Sequence, residues 1–103
     1  MSVLLEFAMF PTDKGDSVSE YVSRIIQMID NSGFNYRLTA MGTIIETDTL
    51  TQALEIISKS FKVLEPHSDR VYTSANFDIR SGKSNRLAGK IESIENKIGQ
   101  VKH

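Results

Sequence analysis

Hydrophobic and polar residues change period several times along this chain, and each change marks an element. Residues 2–10, Ser-Val-Leu-Leu-Glu-Phe-Ala-Met-Phe, read as a buried strand stopped by Pro11. After a turn-rich loop to Gly15, Ser17 and Glu20 match a capping box, in which a hydroxyl and a carboxylate satisfy helix-end amides. Val18, Tyr21, Val22, Ile25, Ile26 and Ile29 then fall on one helical face, closed by Asn31-Ser32-Gly33. Residues 34–40 alternate Phe, Tyr, Leu and Ala against Asn, Arg and Thr, which is strand periodicity. Met41-Gly42 is expected to turn the chain into a strand over residues 43–47. Thr49 and Gln52 form a second capping box before an apolar stripe of Leu50, Ala53, Leu54, Ile57, Phe61 and Leu64, closed near Pro66. Residues 70–80 alternate again, Ser81-Gly82 breaks them, and a last helix of about 84–101 carries Leu87, Ile91, Ile94, Ile98 and Val101.

The order is β-α-β-β-α-β followed by an extra helix. Right-handed crossovers place both internal helices on one face of a four-stranded antiparallel sheet. This α+β pattern is the ferredoxin-like arrangement, with the first and third strands central and the second and fourth at the edges. The 103 residues suffice for one domain, with a core of about 3–80.

Helices on one face leave the other open. The covered face is expected to take Val3, Leu5, Phe7, Met9, Leu38, Ile45, Val71, Ala75, Phe77 and Ile79. Burying such a side chain stabilises by about 1.5–3 kcal/mol, so the parity is firmly set. Leu4, Glu6, Ala8 and Phe10 then lie on the open face, with Tyr72, Ser74, Asn76, Asp78 and Arg80 from the last strand. A two-residue turn at Met41-Gly42 pairs Leu38 with Ile45 and sets Arg37 opposite Glu46 on that face. Glu6 and Glu46 then stand on neighbouring central strands. Two carboxylates about 4 Å apart repel by roughly 4 kcal/mol at an effective dielectric of about 20. Arg37 or Arg80 is expected to relieve that as a structural ion pair, or a bound cation does so.

Composition narrows the choice of function. A net charge of -1 without a block of one sign argues against non-specific nucleic-acid binding. The chain has no cysteine, so disulfides, thiol chemistry and zinc knuckles are excluded. No apolar run reaches membrane-spanning length and no signal peptide is apparent, so a cytoplasmic protein is expected. His67 and His103 lack a nucleophile or metal-ligating neighbour at useful spacing and read as solvated surface residues. Ser81-Gly82-Lys83-Ser84 lacks the rest of a phosphate-loop signature and reads as the start of a helix. No metal site and no catalytic residue is assigned.

Pro11, Ser17-x-x-Glu20-Tyr21-Val22, Gly33-x-x-Tyr36, Met41-Gly42-Thr43-x-x-Glu46 and Arg70-Val71-x-Thr73 occur in the order seen in the YkoF-like thiamine-binding proteins, which this chain resembles over roughly residues 3–80. It departs from that pattern at Thr47-Asp48, where relatives often have glycine. The resemblance implies a non-catalytic homodimer or homotetramer paired through sheet faces. It implies thiamine or its hydroxymethylpyrimidine part as ligand, with no cofactor. Thiamine has a flat aminopyrimidine and a cationic thiazolium. On that basis Phe10, Tyr72 and Met41 would pack the ring, and Thr43, Ser74 and Asn76 would bond its nitrogens. Glu6 or Glu46 would accept from its amino group and offset the charge. Two other readings compete: a cofactor-free ferredoxin-like enzyme using the two carboxylates as acid and base, and a scaffolding or regulatory oligomer without a ligand. The last helix has a heptad seam suited to one partner helix, either in its own domain or in a neighbouring subunit.

Overall fold

β1 (Ser2–Pro11), α1 (Val18–Asn31), β2 (Asn35–Thr39), β3 (Gly42–Thr47), α2 (Leu50–Leu64), β4 (Val71–Arg80) and α3 (Arg86–Ile98) follow one another in the computed structural model, which describes residues 1–16 and 18–103. The strands form one antiparallel sheet in the order β2-β3-β1-β4, the ferredoxin-like topology expected from the element order. The capping box expected before α1 begins on Ser17, outside the described residues. The one before α2 is formed: the Gln52 amide donates to Thr49 Oγ1 at 3.2 Å, and the Thr49 amide donates to Gln52 Oε1 at 3.1 Å.

Val3, Leu5, Phe7 and Met9 of β1 and Ile45 of β3 meet Ile25 and Ile29 of α1 and Ala53, Ile56 and Leu64 of α2 in the core. The stripe of α2 that enters it is Ala53-Ile56-Ser60-Leu64. Leu50, Leu54 and Phe61, expected in the core, form a second stripe that remains exposed. Buried Ser60 is satisfied within its own helix, its hydroxyl donating to the Ile56 carbonyl at 2.7 Å. Alternation places Phe77 and Ile79 on the helix side of β4 as expected, yet they are 39% and 48% exposed. No helix lies over that edge of the sheet strongly enough to cover them, and β4 is exposed along nearly its whole length.

The hairpin register differs from expectation. Thr39 pairs with Gly42, so Ala40 and Met41 make the turn and Gly42 is the first residue of β3. Two interactions fix this. Thr39 Oγ1 accepts from the Met41 and Gly42 amides, both at 3.2 Å, and donates to the Gly42 carbonyl, which closes the turn one residue early. Gly42 also lies against β1, where a Cβ would stand 2.8 Å from the Phe7 carbonyl oxygen. Glycine serves close strand approach here, not turn conformation. Arg37 consequently pairs with Ile44 rather than with Glu46, which pairs with Asn35 and Leu4. Tyr36, not Leu38, stands opposite Ile45, and Leu38 is 61% exposed.

Candidate functional site between the sheet and the last helix

The register resolves the open face into rows. One row is Arg37, Ile44, Glu6 and Asn76, and the next is Asn35, Glu46, Leu4 and Asp78. Glu6 and Glu46 are therefore diagonal neighbours, not side by side. The second row is covered at its centre, because α3 folds back to contact β1 and β3 there. Leu4 is buried as a result.

Glu46 secures that helix. Its Oε2 accepts from the Arg86 amide at 2.9 Å and its Oε1 from the Leu87 amide at 3.0 Å. The Ser2 hydroxyl also donates to Oε2. Helix N-termini leave amides without partners and carry partial positive charge, so a carboxylate there is doubly favoured. Asn85, the residue before α3, has a positive φ of 53° and makes no side-chain cap, leaving the role to a residue forty positions upstream in the sheet. Burial pushes the Glu46 carboxyl up, but the Ser2 hydroxyl, the two amides and the Arg86 charge outweigh it and hold it below its ordinary value.

Arg86 completes the junction. It is 5% exposed, and its Nε donates to Ser2 Oγ at 3.1 Å while Nη2 donates to the Ser2 and Asp78 carbonyls at 2.7 and 2.6 Å. Its Nη1 pairs with Asp78 Oδ1 at 3.1 Å, and Lys90 takes Oδ2 at 2.9 Å. Hydrogen bonds from Lys90 and Arg86 hold the Asp78 carboxyl below its usual range. The buried guanidinium is thus hydrogen-bonded and charge-compensated, the condition for placing one there.

Beside this junction a cleft of about 470 Å³ opens over the Arg37–Ile44–Glu6–Asn76 row. That volume is within the range of small-molecule sites. Ile44 and Leu4 supply an apolar floor, and Leu87 and Ile91 of α3 an apolar wall. Glu6 and Arg37 are polar groups without an ion-pair partner among the described residues. His103, expected to be merely solvated, also lines the cleft and lies 3.9 Å from Glu95. His67 lies against Tyr21 and Arg24 on the helix side.

A family model described as thiamine-binding protein matches residues 5–95. The chain belongs to the thiamine-binding protein family. Among its relatives, a UPF0045 protein of Methanocaldococcus jannaschii is 36% identical over 98 residues, covering 89% of this chain and 91% of that one. Another, from Mycobacterium bovis, is 28% identical over 95 residues, covering 92% and 93%. The crystal structure of the Methanocaldococcus jannaschii protein superposes with a TM-score of 0.80 at 31% identity, covering 90% of this chain and 95% of that one. A Thermotoga maritima structure named for thiamine biosynthesis or salvage superposes with a TM-score of 0.79 at 17% identity, covering 91% and 99%, and speaks to the fold alone.

Within this thiamine-binding family member, the residues expected to bind ligand are dispersed. Glu6 and Asn76 line the cleft together with Arg37. Thr43 does not reach the open face: it shares the parity of Ile45, pairs with Phe7 and is 5% exposed on the helix side. Glu46 is on the open face, but both its oxygens are taken by Ser2 and α3. Phe10 and Tyr72 form a tilted cross-strand pair with centroids 5.8 Å apart, beyond the end of the cleft. Phe10 and the exposed Met41 instead line a smaller cleft of about 350 Å³ between α1 and the hairpin. Ser74 is exposed between these two regions, and Arg80, paired with Ser2 in the sheet, stands off Glu6 and Glu46. Neither Arg37 nor Arg80 pairs with either glutamate among the described residues.

Ser2, Ile44, Arg86, Leu87, Lys90 and Ile91 were not singled out for the site from the sequence. Strand alternation was signal enough for Ile44, two residues before Glu46. Nothing in the spacing announces Arg86, whose place depends on where α3 folds back.

Proposed function

We propose that this protein binds thiamine or its hydroxymethylpyrimidine part without turnover, in the cleft between the open sheet face and α3. The observation that carries the reading is an apolar slot, formed by Leu4, Ile44, Leu87 and Ile91, with an unpaired carboxylate at Glu6 and an amide at Asn76. A flat aminopyrimidine buries its faces against such walls. Its exocyclic amine donates to Glu6, and Asn76 serves a ring nitrogen. Glu6 also offsets the thiazolium charge. Membership of the thiamine-binding family supports the same ligand. Acid–base catalysis by paired glutamates finds no support, since Glu46 is engaged by α3 and offset from Glu6 by one row. No group of three metal-ligating side chains occurs among the described residues, and no described helix is long and apolar enough to cross a membrane. Calorimetric titration with thiamine and with hydroxymethylpyrimidine tests the reading. Saturable binding of either supports it; silence from both overturns it.

The working form is a homo-oligomer built on β4. This ten-residue edge strand, Val71–Arg80, has a free hydrogen-bonding edge and no proline, and it exposes Phe77 and Ile79. Unprotected edges of this length pair with another chain unless something blocks them. Phe77→Asp is expected to shift the protein from oligomer to monomer in sedimentation velocity. An unchanged sedimentation coefficient would place the contact elsewhere.

A further inference from the structure

We infer that the cleft takes a ligand carrying a phosphate ester, with Arg37 as the residue that receives the phosphate. The inference rests on the cleft being the ligand site and adds a statement about which chemical form occupies it. Three permanent cations, Arg37, Arg86 and Lys90, line the cleft with two carboxylates, Glu6 and Asp78. Asp78 is already shared between Arg86 and Lys90, at 3.1 and 2.9 Å. Glu6 and Arg37 are left, one of each sign, on either side of Ile44 in a single row. Adjacent strands lie about 4.8 Å apart, so the two backbones are separated by roughly 10 Å. They do not form an ion pair, and the space over Ile44 is left to a guest.

Arg37 is the more telling of the two. Its Nε is buried with no hydrogen-bond partner, and the side chain makes no ion pair among the described residues. A buried donor without a partner is uncommon and costly in a folded protein. A guanidinium presents a planar fork of donors that matches the oxygens of a phosphate. Thiamine and hydroxymethylpyrimidine contain no anion, so neither answers Arg37. Each has one primary alcohol, and esterifying it with phosphate supplies a dianion while leaving the amine free for Glu6. Such an ester meets both unpaired charges at once, and the apolar floor of Ile44 lies under the ring between them. Lys90 lies toward the β4 side, held by Asp78, so Arg37 on β2 is the cation left for the phosphate.

The test is calorimetric titration of the full chain with thiamine, thiamine monophosphate and inorganic phosphate, repeated on Arg37→Gln. Thiamine monophosphate is expected to bind about tenfold or more tightly than thiamine, as charge-assisted bidentate contacts warrant. Arg37→Gln is expected to bring the ester down to the affinity of the alcohol. Equal affinities of ester and alcohol on the unsubstituted protein overturn the inference while leaving the thiamine reading in place. So does an Arg37→Gln protein in which both compounds weaken by the same factor. If neither organic compound binds, the thiamine reading falls with it. Binding of inorganic phosphate alone, undiminished in Arg37→Gln, places the anion at another site and also overturns the assignment. The ester-to-alcohol comparison needs no variant, so the inference stays testable if Arg37→Gln folds poorly.

Discussion

Replacing Glu46 by alanine is expected to release α3 from the sheet while the rest of the fold survives. The carboxylate accepts two amides at the start of α3 and the Ser2 hydroxyl, and it lies beside the buried Arg86 charge. Removing an acceptor of charge-assisted bonds leaves those donors unsatisfied, at about 2–3 kcal/mol. In hydrogen exchange, the amides of α3 should then open roughly 30- to 150-fold more readily, with β1 and β3 little changed. The same group predicts a pH dependence. Its folded pKa is depressed below the ordinary 4.5, so it binds fewer protons when α3 is docked. Its stabilisation is fully present above 4.5 and is lost as pH falls through the lower folded value. Asp78, depressed by Lys90 and Arg86, acts in the same direction. Exchange of α3 measured from neutral to acidic pH should therefore show undocking before the sheet unfolds. Concerted loss of α3 and the sheet, or α3 protection unchanged in Glu46→Ala, contradicts this account.

The second large effect is on binding. Glu6→Gln preserves the shape of the cleft and removes its unpaired carboxylate. A hydrogen bond to a charged group contributes about 1.5–3 kcal/mol, so affinity for thiamine should fall roughly 10- to 100-fold. Glu6 is exposed and pairs with no cation among the described residues, so the melting temperature of the unliganded protein should hardly move. Titration and thermal melts on the same preparation separate the two quantities. Undiminished thiamine affinity in Glu6→Gln would remove the carboxylate from the site.

These two glutamates show how far strand alternation reaches. Both were expected on the open face, and both are there. Alternation depends only on which side of a strand is apolar, and Val3, Leu5, Phe7 and Met9 leave no ambiguity. The difference in their roles was not legible. Glu46 is a helix cap because a segment forty residues later returns to it, while Glu6 lies one row beyond the reach of that segment. In the sequence, Met41-Gly42-Thr43 reads as a turn beside a ligand hydroxyl. The structure uses Gly42 for its contact with the Phe7 carbonyl and Thr43 for the core side of β3. A turn signal and a close-approach signal are both a glycine in the sequence, and only the neighbouring strand distinguishes them.

Helix faces follow the same rule. Of the single α2 stripe expected from periodicity, Ala53 and Leu64 are buried but Leu50, Leu54 and Phe61 are exposed, and Ile56, outside that stripe, is buried in their place. The position of α2 on the sheet made the choice and left Leu50, Leu54 and Phe61 exposed.

The sequence by itself determined the element order, the ferredoxin-like topology and the inner face of the sheet, because those depend on local periodicity and capping chemistry, and its motifs carried the resemblance to the family. Tertiary structure alone decided the hairpin register, the docking of α3 and hence the cleft. Those depend on contacts between residues far apart in the chain: Thr39 closing the turn, Gly42 against Phe7, and Glu46 with Ser2 and Arg86 holding the last helix over the face that alternation had left open.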